Sequence, residues 1–340
     1  MKILIVGPSW VGDMVMAQSL FMTLKNVQPN CQIDVLAPDW SRPIIERMPE
    51  VHRAIVMPVG HGQLALGLRR KLGTELSREG YDQAIVLPNS LKSALVPWFA
   101  GIPKRTGWRG EMRFGLLNDI RLLDKARYPL MIERFIALAL AGNATLPDPL
   151  PRPRLMINAD NVTASRAEHQ LTNEAPVLAL CPGAEFGEAK RWPANSYATV
   201  AQHKINEGWQ VWLFGSKNDQ GVVEEIRSKL SEGARPSAIN LAGKTSLADA
   251  VDLMSVASAV VSNDSGLMHI AAALGRPLVV LYGSSSPDFT PPLSDHVEIL
   301  RTGIECSPCF KRECPLGHLK CLRELPASRV FDAFTQLQVR

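Results

Sequence analysis

The stretch Ala259-Val260-Val261-Ser262-Asn263-Asp264-Ser265-Gly266-Leu267-Met268-His269 carries the fold in one line. A β-rich apolar run gives way to small polar residues, and an alanine-rich run follows to Leu274. The first part reads as a strand over 259–262, the last as a helix over 266–274. A strand that feeds a helix through a short turn is the repeating unit of a parallel sheet. Outward from this stretch the unit recurs. Strands are predicted at 177–181, 210–214, 238–241 and 278–282, helices at 195–206, 220–230 and 247–256, and a last helix at 328–338. The first half alternates too, with strands at 2–6, 32–36, 54–57 and 81–87 and helices at 13–25, 64–78 and 130–141; another helix follows Pro88-Asn89-Ser90. In the helix over 64–78, Leu64, Leu68, Leu72 and Leu76 recur at a spacing of four and are expected to line one apolar face.

Between the halves Pro147, Pro149, Pro151 and Pro153 alternate. Proline removes amide donors and fixes an extended course, so the junction falls between about 145 and 174. The fold class expected is α/β: two Rossmann-like domains, 1–160 and 161–326, facing across a cleft at the carboxyl ends of their strands. Residues 327–340 are expected to form a terminal helix turning back towards the N-terminal domain. A chain of 340 residues can bury two cores of ordinary size.

Composition narrows the function classes. Hydrophobic residues at 46% and charged ones at 21% describe a globular chain. A formal charge of +4 is too small to argue for nucleic acid. The longest apolar runs, such as 136–141, are too short to span a bilayer. Lys2-Ile3-Leu4-Ile5-Val6-Gly7 reads as a first strand instead of a signal peptide, and the expected location is the cytoplasm. Lys104, Arg105, Arg109 and Arg113 crowd together, and by charge alone they read as a solvated loop and helix face.

Candidate site residues gather where strands end. Gly7 and Gly12 bound the loop after the first strand, and Asp13 follows as either a helix cap or a carboxylate aimed into the cleft. The loop lacks the Lys and Ser/Thr of a phosphate loop and the spacing of the dinucleotide fingerprint. Pro182-Gly183-Ala184 follows a strand, and Lys190-Arg191-Trp192-Pro193 leads into a helix. Pro193 suits the first helical turn, which leaves Lys190 and Arg191 either as a surface pair or as a point charge for a diphosphate. After Ser262 the freed amides of Ser265, Gly266 and Leu267 favour an anion at the helix start. Asp264 there is a cap or a site acid, and His269 a core histidine or a partner one turn in from Ser265. Asp219, after Phe214-Gly215-Ser216-Lys217-Asn218, suits either a cap or a ribose-binding carboxylate.

Six cysteines are present, and Cys306, Cys309, Cys314 and Cys321 fall close together near His318. A disulfide framework is not expected in a cytoplasmic chain. Their spacing supplies thiolates enough for zinc or an iron–sulfur cluster. Zinc sites, however, usually use two close cysteine couples, and only Cys306 and Cys309 make one. Reduced loop thiols without metal are the expectation.

Taken in order, Gly12-Asp13, Pro182-Gly183-Ala184, Lys190-Arg191-Trp192-Pro193, Phe214-Gly215, Asp264-Ser265-Gly266-Leu267-Met268-His269-Ile270-Ala271-Ala272-Ala273, Pro277 and Leu281-Tyr282-Gly283 resemble the lipopolysaccharide heptosyltransferases, family 9 of the glycosyltransferases, over essentially the whole chain. The tail from Cys306 to His318 is similar to the branch that adds the second inner-core heptose. The resemblance implies the GT-B architecture and transfer, with inversion, of L-glycero-D-manno-heptose from ADP-heptose to heptosyl-Kdo2-lipid A. It implies Asp13 as base, Lys190 as phosphate ligand, and Asp264, Ser265 and Gly266 as pyrophosphate loop, with Gly183 and His269 beside them. Asp219 falls where the family usually has a glutamate for the ribose. Acceptor carboxylates and phosphates would engage Lys104, Arg105, Arg109 and Arg113, with the protein peripheral at the cytoplasmic face of the inner membrane. No metal-binding Asp-x-Asp lies near the donor loops, so protein groups are expected to neutralise ADP and no cofactor is expected. Another family 9 transferase, a GT-B epimerase and a sugar-nucleotide-binding scaffold are the competing readings. Product analysis with ADP-heptose separates them, since an epimerase needs no acceptor.

Overall fold

The computed structural model describes residues 1–339 apart from His61, Asn143 and Asn173. The chain divides into two units, Met1–Met156 and Ile157–Arg340, each with its own sheet.

The first unit holds β1 (Lys2–Val6), α1 (Val11–Val27), β2 (Gln32–Ala37), α2 (Arg42–Ile45), β3 (Arg53–Val56), α3 (Leu66–Leu76), β4 (Gln83–Val86), α4 (Leu95–Phe99), β5 (Lys104–Trp108), β6 (Asp119–Arg121) and α5 (Met131–Ala139). All strand pairs are parallel, in the order β3-β2-β1-β4-β5-β6, with Lys2 opposite Gln32 and Ile3 opposite Gln83. Ile3, Leu4 and Ile5 are fully buried, as a central strand covered on both faces requires.

The second unit holds α6 (Ala159–Glu168), β7 (Val177–Cys181), α7 (Ala194–Asn206), β8 (Gln210–Leu213), α8 (Gln220–Ser228), β9 (Ala238–Asn240), α9 (Leu247–Met254), β10 (Ala259–Asn263), α10 (Gly266–Ala273), β11 (Leu278–Leu281), β12 (Val297–Leu300), α11 (Lys320–Arg323) and α12 (Ser328–Gln336). Its order, β12-β11-β10-β7-β8-β9, repeats that of the first sheet when each is numbered from its own first strand. In this order the direction of chain winding reverses between the first and fourth strands: β1 and β4 in one unit, β7 and β10 in the other. Loops at the carboxyl ends of those pairs splay apart and leave room for a ligand.

Two expectations need correction. The basic run over 104–113 includes a strand: Lys104–Trp108 pairs with β4, with Gln83 opposite Lys104. Thr106, Gly107 and Trp108 are buried after the charged Lys104 and Arg105, a burial that the crowd of lysine and arginine hides. Only the later part of the expected leucine face reaches the core: Leu76 is buried and Leu72 packs against the core beside it. Leu64 and Leu68 lie half exposed, and the buried positions are Arg69, Gly73 and Leu76. Gly73 stands so close to α4 that an added Cβ would come 2.4 Å from the Phe99 side chain, so contact is made by a missing side chain instead of a leucine. The boundary between the units falls within the expected junction, and α6 follows it, capped by the Asn158 side chain and tied by Asn161 to Asp249 and Asp252. In the second unit α12 places Val330, Ala333 and Phe334 in the core with Leu300 and Leu325.

Candidate active site

In the second unit the switch-point strands β7 and β10 end side by side, with Ala259 opposite Leu178 and Ser262 opposite Cys181. Asn263, the last residue of β10, is fully buried and joins three chain segments. Its oxygen accepts from the Trp192 amide at 3.1 Å and from the Tyr197 hydroxyl at 3.1 Å, and its amide nitrogen donates to the Pro182 carbonyl at 2.7 Å. The loop after β7, the Lys190 segment and the end of β10 are thereby held in one place. Trp192 locks the arrangement from behind, its indole N–H donating to the Leu325 carbonyl at 2.9 Å.

Within that frame Lys190 Nζ meets Asp264 Oδ2 at 2.5 Å, and both side chains are largely buried. Asp264 is therefore no helix cap; the cap position of α10 belongs to Ser265, whose side chain makes no capping hydrogen bond. The first amides of α10 get no acceptor from their own cap residue, which leaves the positive end of the helix to an anion. His269 lies one turn in and is buried. Burial pushes it down to about 4, while the Asp264 carboxylate pulls upwards and Lys190 adds to the fall. It is a neutral imidazole at physiological pH and adds no positive charge to the site.

Asp219 is buried and already engaged. Its Oδ2 accepts from the Ser216 amide and hydroxyl, both at 2.9 Å, and Arg191 approaches Oδ1 at 3.5 Å. Gly183 faces this carboxylate so closely that an added Cβ would stand 2.4 Å from Asp219 Oδ2, so glycine is what the position admits. The exposed carboxylate beside this loop is Glu185, whose Oε1 accepts from the Ser216 hydroxyl at 2.9 Å. Sequence reading missed Glu185 because a single glutamate in a loop carries no periodicity or cap signature. Asn263 was quoted but given no role, since three buried hydrogen bonds from different segments leave no mark in a local pattern.

In the first unit Asp13 sits in the first turn of α1, half buried, two residues past the start at Val11. The cap position is Trp10, so Asp13 is not the N-cap residue. It stands at the carboxyl end of β1. Of the four basic residues, Arg109 lies just past the carboxyl end of β5 with its side chain exposed. Lys104 and Arg105 begin that strand and so lie at the opposite edge. Lys104 reaches Asp119 at 4.0 Å, and Arg105 donates to the carbonyls of Leu116 at 2.6 Å and Ile102 at 2.5 Å. Arg113 is buried and bridges loops, donating to Pro88 O at 2.6 Å, Trp108 O at 2.5 Å, Ser93 Oγ at 3.2 Å and Asn89 Oδ1 at 3.3 Å. The run that looked like one cationic surface is split into an edge, a clamp and Arg109. Lys92, in the helical turn after β4, also lies at the ligand-binding edge and was not singled out from sequence.

An α/β sheet whose switch point offers helix amides and a lysine can take an anion, and two such sheets of matching order are the Rossmann-like units of the GT-B class of transferases. Comparison narrows this further. The model of glycosyltransferase family 9 (heptosyltransferase) matches residues 69–320, and the chain belongs to that family. It is 52% identical to lipopolysaccharide heptosyltransferase 2 of Escherichia coli over 99% of this chain and 98% of that one. Lipooligosaccharide heptosyltransferase 2 of Haemophilus influenzae is 53% identical over 88% of each chain. The solved structure of E. coli ADP-heptose LPS heptosyltransferase II superposes with a TM-score of 0.90 at 50% identity, covering 99% of this chain and 98% of that one.

Proposed function

We propose that this transferase moves L-glycero-D-manno-heptose from ADP-heptose onto the first heptose of heptosyl-Kdo2-lipid A. The second unit takes the donor. What carries the reading physically is the Lys190–Asp264 pair at the start of α10: a diphosphate placed there meets a lysine held in position and amides without a side-chain cap. The substrates follow from likeness to relatives whose names specify heptose transfer to lipopolysaccharide. Glu185 is better placed than Asp219 to meet the ribose hydroxyls, because Asp219 is buried and its oxygens are taken. Asp219 then acts as a positioning residue that holds the loop through Ser216.

The first unit takes the acceptor. Asp13 accepts the proton of the attacking hydroxyl as the new bond forms at the anomeric carbon and the bond to the ADP oxygen breaks, a single displacement that inverts the centre. Arg109 and Lys92, at the same sheet edge, meet acceptor anions. Lys104, Arg105 and Arg113 leave the acceptor assignment for structural roles. No helix among the described residues is long and apolar enough to cross a membrane, so a lipid-linked acceptor is met at a membrane surface. Protein groups alone neutralise the departing ADP.

Turnover of radiolabelled ADP-heptose with heptosylated Kdo2-lipid A tests the assignment. Transfer of label to the lipid, dependent on acceptor, is the expected result; release of label only to water, or epimerisation without acceptor, refutes it.

A further inference from the structure

We propose that Cys306, Cys309, Cys314 and Cys321 bind one thiophilic metal ion, zinc or iron, in a tetrathiolate site directly behind the Lys190 loop. The four side chains come from a segment that wraps around a single small pocket, which all four line together with Ala189, Ser284 and His318. Residues 301–319 contain no helix or strand and none of their side chains is buried. A long stretch of this kind inside a compact unit needs something other than an apolar core to hold it. Metal–thiolate bonds supply that.

The backbone folds closely around these sulfurs. The Leu319 amide N–H donates to Cys314 Sγ at 3.5 Å, and the backbone of Leu316, Gly317 and His318 curls around the same sulfur. Cys321 lies at the pocket's buried side, with Cys309 and Cys314 half-buried and Cys306 exposed around the same pocket. Phe310, next to Cys309, and Leu319 both adopt left-handed backbone with φ of 54° and 52°, unusual for side chains of their size and typical of segments bent around a ligand. Lys311, Arg312, Lys320 and Arg323 in the same segment offset the charge of a tetrathiolate. Among the described residues no three ligating side chains already stand in metal geometry, so binding turns the thiols inward on a backbone already curled around them.

The segment is bonded to the donor loop. The Phe310 amide donates to the Ser284 carbonyl at 2.6 Å, Ser307 Oγ donates to Gly283 O at 2.6 Å, and the Ala189 amide donates to Arg312 O at 3.0 Å, one residue from Lys190. A metal there stiffens the loop that carries the lysine; this consequence, unlike the site itself, rests on the donor reading above.

The full-length protein, purified without chelator from cultures supplemented with zinc or with iron, is analysed for metal. The expected result is near one ion per chain, zinc or iron according to which the protein retains in both cultures, lost in Cys309→Ser and Cys314→Ser. Chelator-treated wild type given Co(II) should develop cobalt–thiolate charge-transfer absorption, a readout that does not depend on the variants folding. Metal-free protein with four freely titrating thiols and no cobalt–thiolate band overturns the site, as does metal retained in both serine variants. Metal removal should also weaken ADP-heptose binding several-fold, and unchanged affinity overturns the coupling. If neither form binds ADP-heptose while metal is present, the donor reading fails and the metal site stands.

Discussion

At Lys190 the proposed donor role and the fold meet in one residue. Its ammonium meets a buried carboxylate at 2.5 Å, so Lys190→Ala takes away the proposed phosphate ligand and strands Asp264 in the same step. Breaking a buried pair from one side costs about 3–5 kcal/mol of stability. The double change Lys190→Met with Asp264→Asn removes both charges. Its thermal midpoint should lie well above that of Lys190→Ala while ADP-heptose affinity stays reduced about 10-fold or more. Recovery of donor affinity along with stability would show that Lys190 serves the fold alone. His269 sets a pH limit. Its native value near 4 lies below the roughly 6.5 of an unfolded histidine, so between those values the unfolded chain binds a proton the native one refuses. Stability is intact above about pH 6.5 and falls as pH drops towards 4, by on the order of 3 kcal/mol from this residue. Urea midpoints at several pH values on wild type and His269→Gln should converge as pH falls, and parallel profiles would contradict the assignment.

At the scale of elements, the contacts between loops decide where the chemistry stands. Gly183 and Asp219 come from the ends of β7 and β8 and touch with no space for a methyl group. Gly183→Ala should cost about 1–3 kcal/mol and raise the KM for ADP-heptose, because Asp219 and its hold on Ser216 must move. A variant with parental thermal midpoint and KM would show the loop to be slack. Asn263→Ala removes one side of three buried hydrogen bonds, and a loss of about 2–4 kcal/mol in chemical denaturation is expected. Strands such as Lys2–Val6 and Val177–Cys181 were legible with their bounds because both faces are buried and an unbroken apolar run says so. Lys104–Trp108 was not, because charges at its first positions and a glycine near its end conceal the buried Thr106 and Trp108. Part of the face of α3 was misread for a related reason: close packing through Gly73 uses the absence of a side chain, which a count of leucines cannot register.

For the whole molecule, the repeated strand order is the organising fact; the sequence shows the strand–helix alternation beneath it but not the order itself. The candidate site was legible wherever it coincides with a strand end: Asp13, Gly183, Lys190 and Asp264 all stand at switch-point loops. What stayed hidden depends on contacts between distant segments, such as the commitment of Asp219 to Ser216 and the division of the basic run between two edges of one sheet. The central claim is that Asp13, from the first unit, removes the acceptor proton while the second unit alone holds the donor. Asp13→Asn tests it most directly, since asparagine keeps the size and hydrogen-bonding shape of the side chain and removes its basicity. Single-turnover transfer from ADP-heptose and donor binding are measured on one preparation of wild type and variant. The account predicts transfer slowed about 100-fold or more with ADP-heptose affinity and thermal midpoint nearly unchanged. Transfer at close to the parental rate would make Asp13 no more than a first-turn acid complementing the α1 dipole.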